Sequence, residues 1–568
     1  MTQRQTVFAT LLVFAPAALL WVSALACLQG SCSGDATVHA ADKTQSRLRL
    51  TVRDADTKQL IPALVNFHTA TGEPVTFGNF ADLPGWSQGA SAVELGKGGE
   101  AMFAFRHGLA LWKGEGTFIA GKPWEHRDVN GTAKTVSQVV PGLYKITVSR
   151  GVEYDAVELQ ADLSAGGDVA FDVELKRTVD SAGYLSADVH THAAPDSPDA
   201  FTTGGSQLKV AAVNGLDVIV GANHDTLADL GAVVASLWPK GTAPLVTVIG
   251  EEKSGTNSHW GLFPIVRDAA KPGKGAPVVR PWPLPQFFQD LRTIPGRPIV
   301  VLNHPRLGWQ AYFDEGFCGA WAKRDFSAPP PCPQDFDATE LLNGWQSCGT
   351  RMRDATETWL ALASYNFTSA AVGGSDSHYT AAMVPGYPRT WINVGDDNLK
   401  RFSAGLLVQA IRARHTSASN APLVTLRSGA FVEGDFMMNA PQTLPLAIRV
   451  QGANWVTVDT VRLLVNGTVA KTWTIPRNGG AVDFRIDESL ALGDEDAFVT
   501  VETDSQLPLP PLIVGEYNAI IQYGSPKCPP RAGQEPGLPA FAVTSPLFLD
   551  RDNDGLFRGN RATAGRKL

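Results

Sequence analysis

Between residues 184 and 378 one device recurs five times: an apolar run ends, and His, Asp or Glu follows at once. YLSADV leads to His190 and His192, LDVIVGAN to His224, LVTVIG to Glu251 and Glu252, PIVVLN to His304, and AAVGGS to Asp376 and His378. Residues two apart on an extended strand point to the same side, so His190 with His192, and Asp376 with His378, can each share one ion. His259, seven residues after Glu252, can return toward them from a loop. Six of the eleven histidines fall in this stretch. Imidazole and carboxylate together suit Zn²⁺, Mn²⁺ or Fe. Singly, an Asn-His-Pro or a His-x-His means little, because a lone histidine is ordinarily a packed or surface residue. Together, a merely structural cluster of imidazoles and carboxylates would be costly to desolvate, and metal ions remove that cost.

The elements that must position these groups follow from the surrounding pattern. In the central stretch, apolar runs alternate with helical ones such as GSQLKVAAVNG, PQFFQDLRTI and MRDATETWLALASYN. That alternation predicts an α/β domain with a parallel sheet or barrel, and in barrels the carboxyl ends of the strands carry the active site. On both sides the pattern is of short period-two strands, RLRLTVRD and VAFDVELKR before it, LPLAIRVQG and DAFVTVETD after it. The predicted plan is a β-sandwich-like domain over 41–180, the α/β domain over 181–420 and a second β domain over 421–568. His68, His107 and His126 are scattered through the first of these and are read as structural.

Composition narrows the function classes. Hydrophobic residues at 44% and charged residues at 18% are those of a globular chain, and 568 residues are too many for one core. A net charge of −8 leaves no basic footprint, so nucleic acid is not an expected partner. Arg4 followed by an apolar stretch over 7–26 reads as an export segment within 1–40, leaving the protein periplasmic, extracellular or membrane-anchored through its N-terminus. Cys27 and Cys32 belong to that segment. Of Cys318, Cys332, Cys348 and Cys528, the pair Cys318 and Cys332 would staple a Pro-rich loop, with free buried thiols as the alternative.

DVHTHAAPDSPDAF, GLDVIVGANHDT, GEEKSGTNSHWGLFPI, VLNHPR and GGSDSH, in this order, resemble the polymerase-and-histidinol-phosphatase (PHP) superfamily. More narrowly they are similar to its carbaryl-hydrolase-like branch (CehA/McbA type). The resemblance covers about 183–415. It implies a distorted (β/α)7 barrel, flanked here by the N-terminal and C-terminal β-sandwich-like domains. It places the metal ligands at His190, His192, Asp199, His224, Glu252, His259, His304, Asp376 and His378. Asn223 stands where the family has an aspartate, and Asp196 competes with Asp199 for the acidic position after His-x-His.

With Asp199, Glu252 and Asp376 as the charged ligands, two or three divalent ions leave the site positive, which draws an anionic or polarised small-molecule ester. The expected chemistry is hydrolysis by a metal-bridging hydroxide at phosphorus or at an acyl or carbamic carbon, with Glu252 bridging the ions. Arg306 is the expected catalytic charge partner for the leaving group, and Arg389 and Asn343 are expected along the pocket. The aromatic, Pro-rich loop over 312–332 reads as a lid or as an inert insertion. Asp550, Asp552 and Asp554 begin like a calcium loop, although Arg561 stands where its bidentate glutamate belongs; an Asp/Asn-rich turn is the other reading. Two rival classes stay open: a cell-surface or glycan-binding protein on a retained scaffold, and an amidohydrolase-type metalloenzyme.

Overall fold

The computed structural model describes residues 46–568 except 73–74, 76–93, 96–100, 106–107, 120–123, 128–132, 138–140, 201, 256–257, 307–310, 315, 345–348, 379, 381–382, 511–537, 564 and 567. The export segment, with Cys27 and Cys32, lies outside the described residues, as do His107, Cys348 and Cys528. Among the described residues, no helix is long and apolar enough to cross a membrane.

Strand Ser46–Asp54 alternates buried and open positions, and its buried side chains Leu48, Leu50 and Val52 point at a second sheet. It pairs with Gly167–Leu175 and Glu115–Ile119. The six-stranded sheet opposite contributes Val65, Phe67, Ile146 and Val148 to the same core. Two sheets sharing one apolar layer are what alternation on both predicts.

The chemistry-bearing strands are built differently. β1 (Tyr184–Thr191) is buried along its whole length, with Leu185, Ala187 and Val189 on one face and Ser186, Asp188 and His190 on the other. It pairs in parallel with β2 (Val218–Gly221). α1 (Gly204–Val213), capped by the Thr203 side chain, crosses between them. β3 (Glu251–Ser254), β4 (His259–Phe263), β5 (Ile299–Leu302), β6 (Ala338–Asn343) and β7 (Ala370–Gly374) form a separate five-stranded sheet. β3 to β5 run antiparallel, and β5 to β7 run parallel.

Of the expected distorted seven-stranded barrel, the strand pairing describes a part. The ladders describe a half-barrel sheet, in which β3 and β4 pair as antiparallel neighbours. The two sheets meet through single bridges, Thr191 with Ser377 and His224 with Glu252. β1 instead continues, through Arg389–Asn393 and Thr416–Ser419, into strands Ala542–Thr544 and Ala497–Asp504. This eleven-stranded sheet crosses the expected boundary near residue 420. The fold is mixed α/β, mostly strands, with five α-helices among the described residues.

Tyr184 ties the start of β1 to the C-terminal region, its hydroxyl donating to Glu433 Oε1 at 2.7 Å. Burial pushes the Glu433 carboxyl up to about 7, against the opposing pull of Tyr184 and the Leu426 N–H. The folded state thus holds this proton more tightly than the unfolded chain. The stability it contributes is complete below about pH 4.5 and is lost as the pH rises through about 7. Glu433→Gln is expected to flatten that loss, a difference of about 3 kcal/mol between the two limits. Urea unfolding of both proteins at pH 4.5 and 7.5 checks it; identical pH dependence would contradict the assignment.

Candidate metal centre

All nine side chains singled out from the sequence converge at the carboxyl ends of β1, β2, β5 and β7, with Glu252 near the start of β3 and His259 opening β4. His190 Nε2 and His192 Nε2 lie 3.1 Å apart, and each lies 3.2 Å from Asp376 Oδ1. Glu252 is the hub. Its carboxylate lies 3.1 Å from His190 Nε2, 3.6 Å from His192 Nε2, 3.1 Å from His224 Nδ1 and 3.3 Å from both His259 Nδ1 and His304 Nε2. Asp199 Oδ2 closes the outer side, 2.9 Å from His224 Nε2 and 3.1 Å from His378 Nε2. Asp196, the competitor, is turned away into an ion pair with Lys274.

Three overlapping sets of donor atoms result, each within 4.8 Å: His190, His192 and Asp376; His224, Glu252 and His259; and His192, Asp199, His224 and His378. Such sets fit divalent cations. A further sign of fit is that the buried His259 Nδ1 and His304 Nδ1 make no hydrogen bond. Buried nitrogens of this kind ordinarily find a partner.

The electrostatics point the same way. Burial pushes the His190 pKa down, yet Asp376, Glu252 and Glu340 outweigh it and hold it well above the ordinary value. Asp199 and Glu252 likewise overcome burial to raise His224 to about 9. His192 goes the other way, down to about 3, through burial and the neighbouring His378. Against burial, the surrounding histidines hold Glu252, Asp376 and Asp199 far below the carboxylate range. The carboxylates thus demand positive charge, and protons on imidazole meet that demand when no other cation does.

Local structure explains the precision of the placement. His304 (φ 30°) and Asp376 (φ 52°) both sit in the left-handed region, a conformation that costs about 1–3 kcal/mol for a residue with a side chain. Gly374 precedes Asp376 because a Cβ there would lie 2.5 Å from His190 Cβ and 2.7 Å from Glu340 Oε1. Asn223 brackets the backbone of Ala193, accepting its N–H at 2.8 Å and donating to its carbonyl at 3.2 Å, which holds the residue after His192.

Two functional residues escaped the sequence reading. Glu340 Oε1 lies 2.9 Å from His190 Nδ1, and Oε2 accepts the His304 N–H at 2.7 Å and Asn343 Nδ2 at 2.9 Å. A carboxylate behind a ligating histidine fixes its ring and raises its basicity. Its signal was present: a glutamate inside the apolar run ATELLN needs a partner to be buried. Asn303, beside His304, donates to Glu252 Oε1 at 2.8 Å.

Arg306 is corrected as a catalytic residue. Its buried guanidinium donates to Thr358 Oγ1, Asp314 Oδ1 and the carbonyls of Phe313 and Trp321, so it holds the following loop. Arg389 is also turned away, bonded to Ser186 Oγ and the carbonyls of Gly386 and Asn214. Asn343 does reach the cluster, donating to Asp376 Oδ2 at 3.3 Å. The 312–332 loop packs Tyr312, Phe313 and Trp321 into a buried core and closes on a Cys318–Cys332 disulfide, an anchored insertion rather than a free lid. In the tail, Asp554 is paired with Arg558, and the residue grouped with Asp550 and Asp552 is Asp496. Asp550 accepts the N–H groups of Asn553 and Gly555, as in an Asx-type turn.

No family model matches the chain, and no curated protein matches it. Among solved structures, a two-domain protein from Bacteroides vulgatus ATCC 8482 containing a predicted PHP-like metal-dependent phosphoesterase aligns over 57% of this chain and 92% of its own. The identity is 14% and the TM-score 0.32, too loose a superposition to argue from. What the centre can do rests on its own side chains.

Proposed function

We propose that this chain is an exported metal-dependent hydrolase of the PHP type, in its carbaryl-hydrolase-like branch, that cleaves a phosphoester or a carboxylic or carbamic ester. The observation that carries the reading is the convergence of five imidazoles on the Glu252 carboxylate, within a set of nine donors positioned by six strands. Divalent ions bound there, Zn²⁺, Mn²⁺ or Fe, supply a Lewis acid and water acidified to near neutrality. The chain's own part is orientation. Glu340 aims His190 and the His304 backbone, Asn303 steadies Glu252, and Asn343 steadies Asp376. The cluster is sealed on the His190 side and open on the other, where the Asp199 side chain is 48% exposed and His224 18%. A substrate approaches from that open side.

Purified protein assayed on aryl phosphates and aryl carbamates, after chelation and again after Zn²⁺ or Mn²⁺ is restored, tests this. Turnover is expected only with metal, and which substrate series responds decides between phosphorus and acyl chemistry. Absence of metal-dependent turnover, with less than one ion per chain, would favour the binding-scaffold reading.

A further inference from the structure

The opposite ends of the same strands carry a second concentration of charge. A cavity of about 430 Å³ opens there, its lining including five arginines, two aspartates and Leu568. Arg297 lies just before β5, Asp337 just before β6, Ser369 just before β7, and Arg412 and Arg414 just before strand Thr416–Ser419. Arg566 comes in from the tail. Along β5 this mouth lies roughly 20 Å from His304, at about 3.3 Å per residue.

The two aspartates are already engaged. Asp335 Oδ1 takes Arg292 Nη2 at 2.8 Å, and Asp337 Oδ2 takes Arg292 Nη1 at 2.9 Å, with Arg412 Nε 4.0 Å from its other oxygen. Among the described residues Arg297 and Arg566 form no ion pair, while Arg414 has the Asp435 charge nearby. Arg566 donates to the Asn366 carbonyl and Arg414 to the Gly434 carbonyl, contacts that orient a guanidinium without neutralising it. Arg412 grips the Arg297 carbonyl. Arg297 itself sits at φ 48°, a conformation that glycine would adopt at less cost. Burial, with the Arg566 charge beside it, pushes Arg414 down to about 10, against the opposing pull of the Asp435 carboxylate. In a protein of net charge −8, gathering guanidinium groups in one concavity is unfavourable unless an anion occupies it.

We propose that this cavity is a second ligand site, separate from the metal centre, that binds a small phosphate-bearing anion through Arg297, Arg414 and Arg566. Guanidinium forks match phosphate oxygens in geometry and charge, and the volume suits a small molecule. The acidic remainder of the chain disfavours a nucleic-acid strand as the occupant.

Inorganic pyrophosphate titrated calorimetrically into the full-length protein tests the site. Because phosphate oxygens also bind metal clusters, two variants separate the sites: Arg297→Ala with Arg566→Ala, both at exposed positions, and Glu252→Ala at the metal centre. Chelator-treated wild-type protein replaces the latter if it does not fold. Saturable binding is expected to survive loss of the metal centre and to weaken at least about tenfold in the double arginine variant. Equal affinity in that variant, binding that disappears with the metal centre alone, or no saturable binding in the wild type would each overturn the proposal.

Discussion

Glu252→Ala protein is expected to emerge from purification with at least one divalent ion fewer per chain than the wild type, and to turn over substrate at least about 10³-fold more slowly, roughly 4 kcal/mol in the barrier. The reason is the position of the carboxylate. It touches His190, His192, His224, His259 and His304 within 3.6 Å, so it completes one set of donors with His224 and His259 and lies against histidines of the other two. Its removal leaves five imidazoles facing one another with a third of the acidic ligand charge gone. Added metal is not expected to restore activity, since the bridging position itself is lost. Elemental analysis beside the ester assays reads both effects; unchanged metal content would contradict the assignment.

Glu340→Gln is expected to behave differently. The carboxylate accepts on both oxygens, from the His190 ring on one and from the His304 N–H and Asn343 on the other. An amide can accept on only one, so either the ring or the backbone loses its hold. Partners of this kind are worth about 10–100-fold in metal affinity. Activity should fall at limiting metal and return as Zn²⁺ or Mn²⁺ is raised. A loss that no metal concentration repairs would make Glu340 a participant in the chemistry rather than a positioning residue.

The contrast between the two glutamates shows what the sequence could reveal. Glu252 was legible because it follows an apolar run at a strand end, the position shared by His190, His224, His304 and Asp376. Residue type and period-two spacing sufficed to gather those groups on one face. Glu340 lies inside its strand, where the same rule looks for packing, and only the cost of burying a lone carboxylate could have singled it out. Arg306 misled because closeness along the chain stood in for direction. Pro305 and the buried Phe313 and Trp321 lead its guanidinium into the neighbouring loop. The barrel was the least legible feature. Strand content and helix positions follow from periodicity, whereas one partner of β1, strand Arg389–Asn393, lies about 200 residues away in sequence and depends on twist and packing that no local pattern records.

Two residues before His190, Asp188 is fully buried. Its carboxylate accepts the N–H groups of His190, Ser375 and Gly386 at 3.1, 3.0 and 2.8 Å. Those donors span almost the whole central stretch. A chain emerging from the ribosome therefore carries His190 and His192 through nearly two hundred residues of synthesis before the groups that seat them exist. Until then the imidazoles are loose ligands, open to whatever ion or stray thiolate they meet. Asp188 thus ties the seat of His190 to backbone nearly two hundred residues further along the chain, so that seat is complete only when both ends of the central stretch have come together.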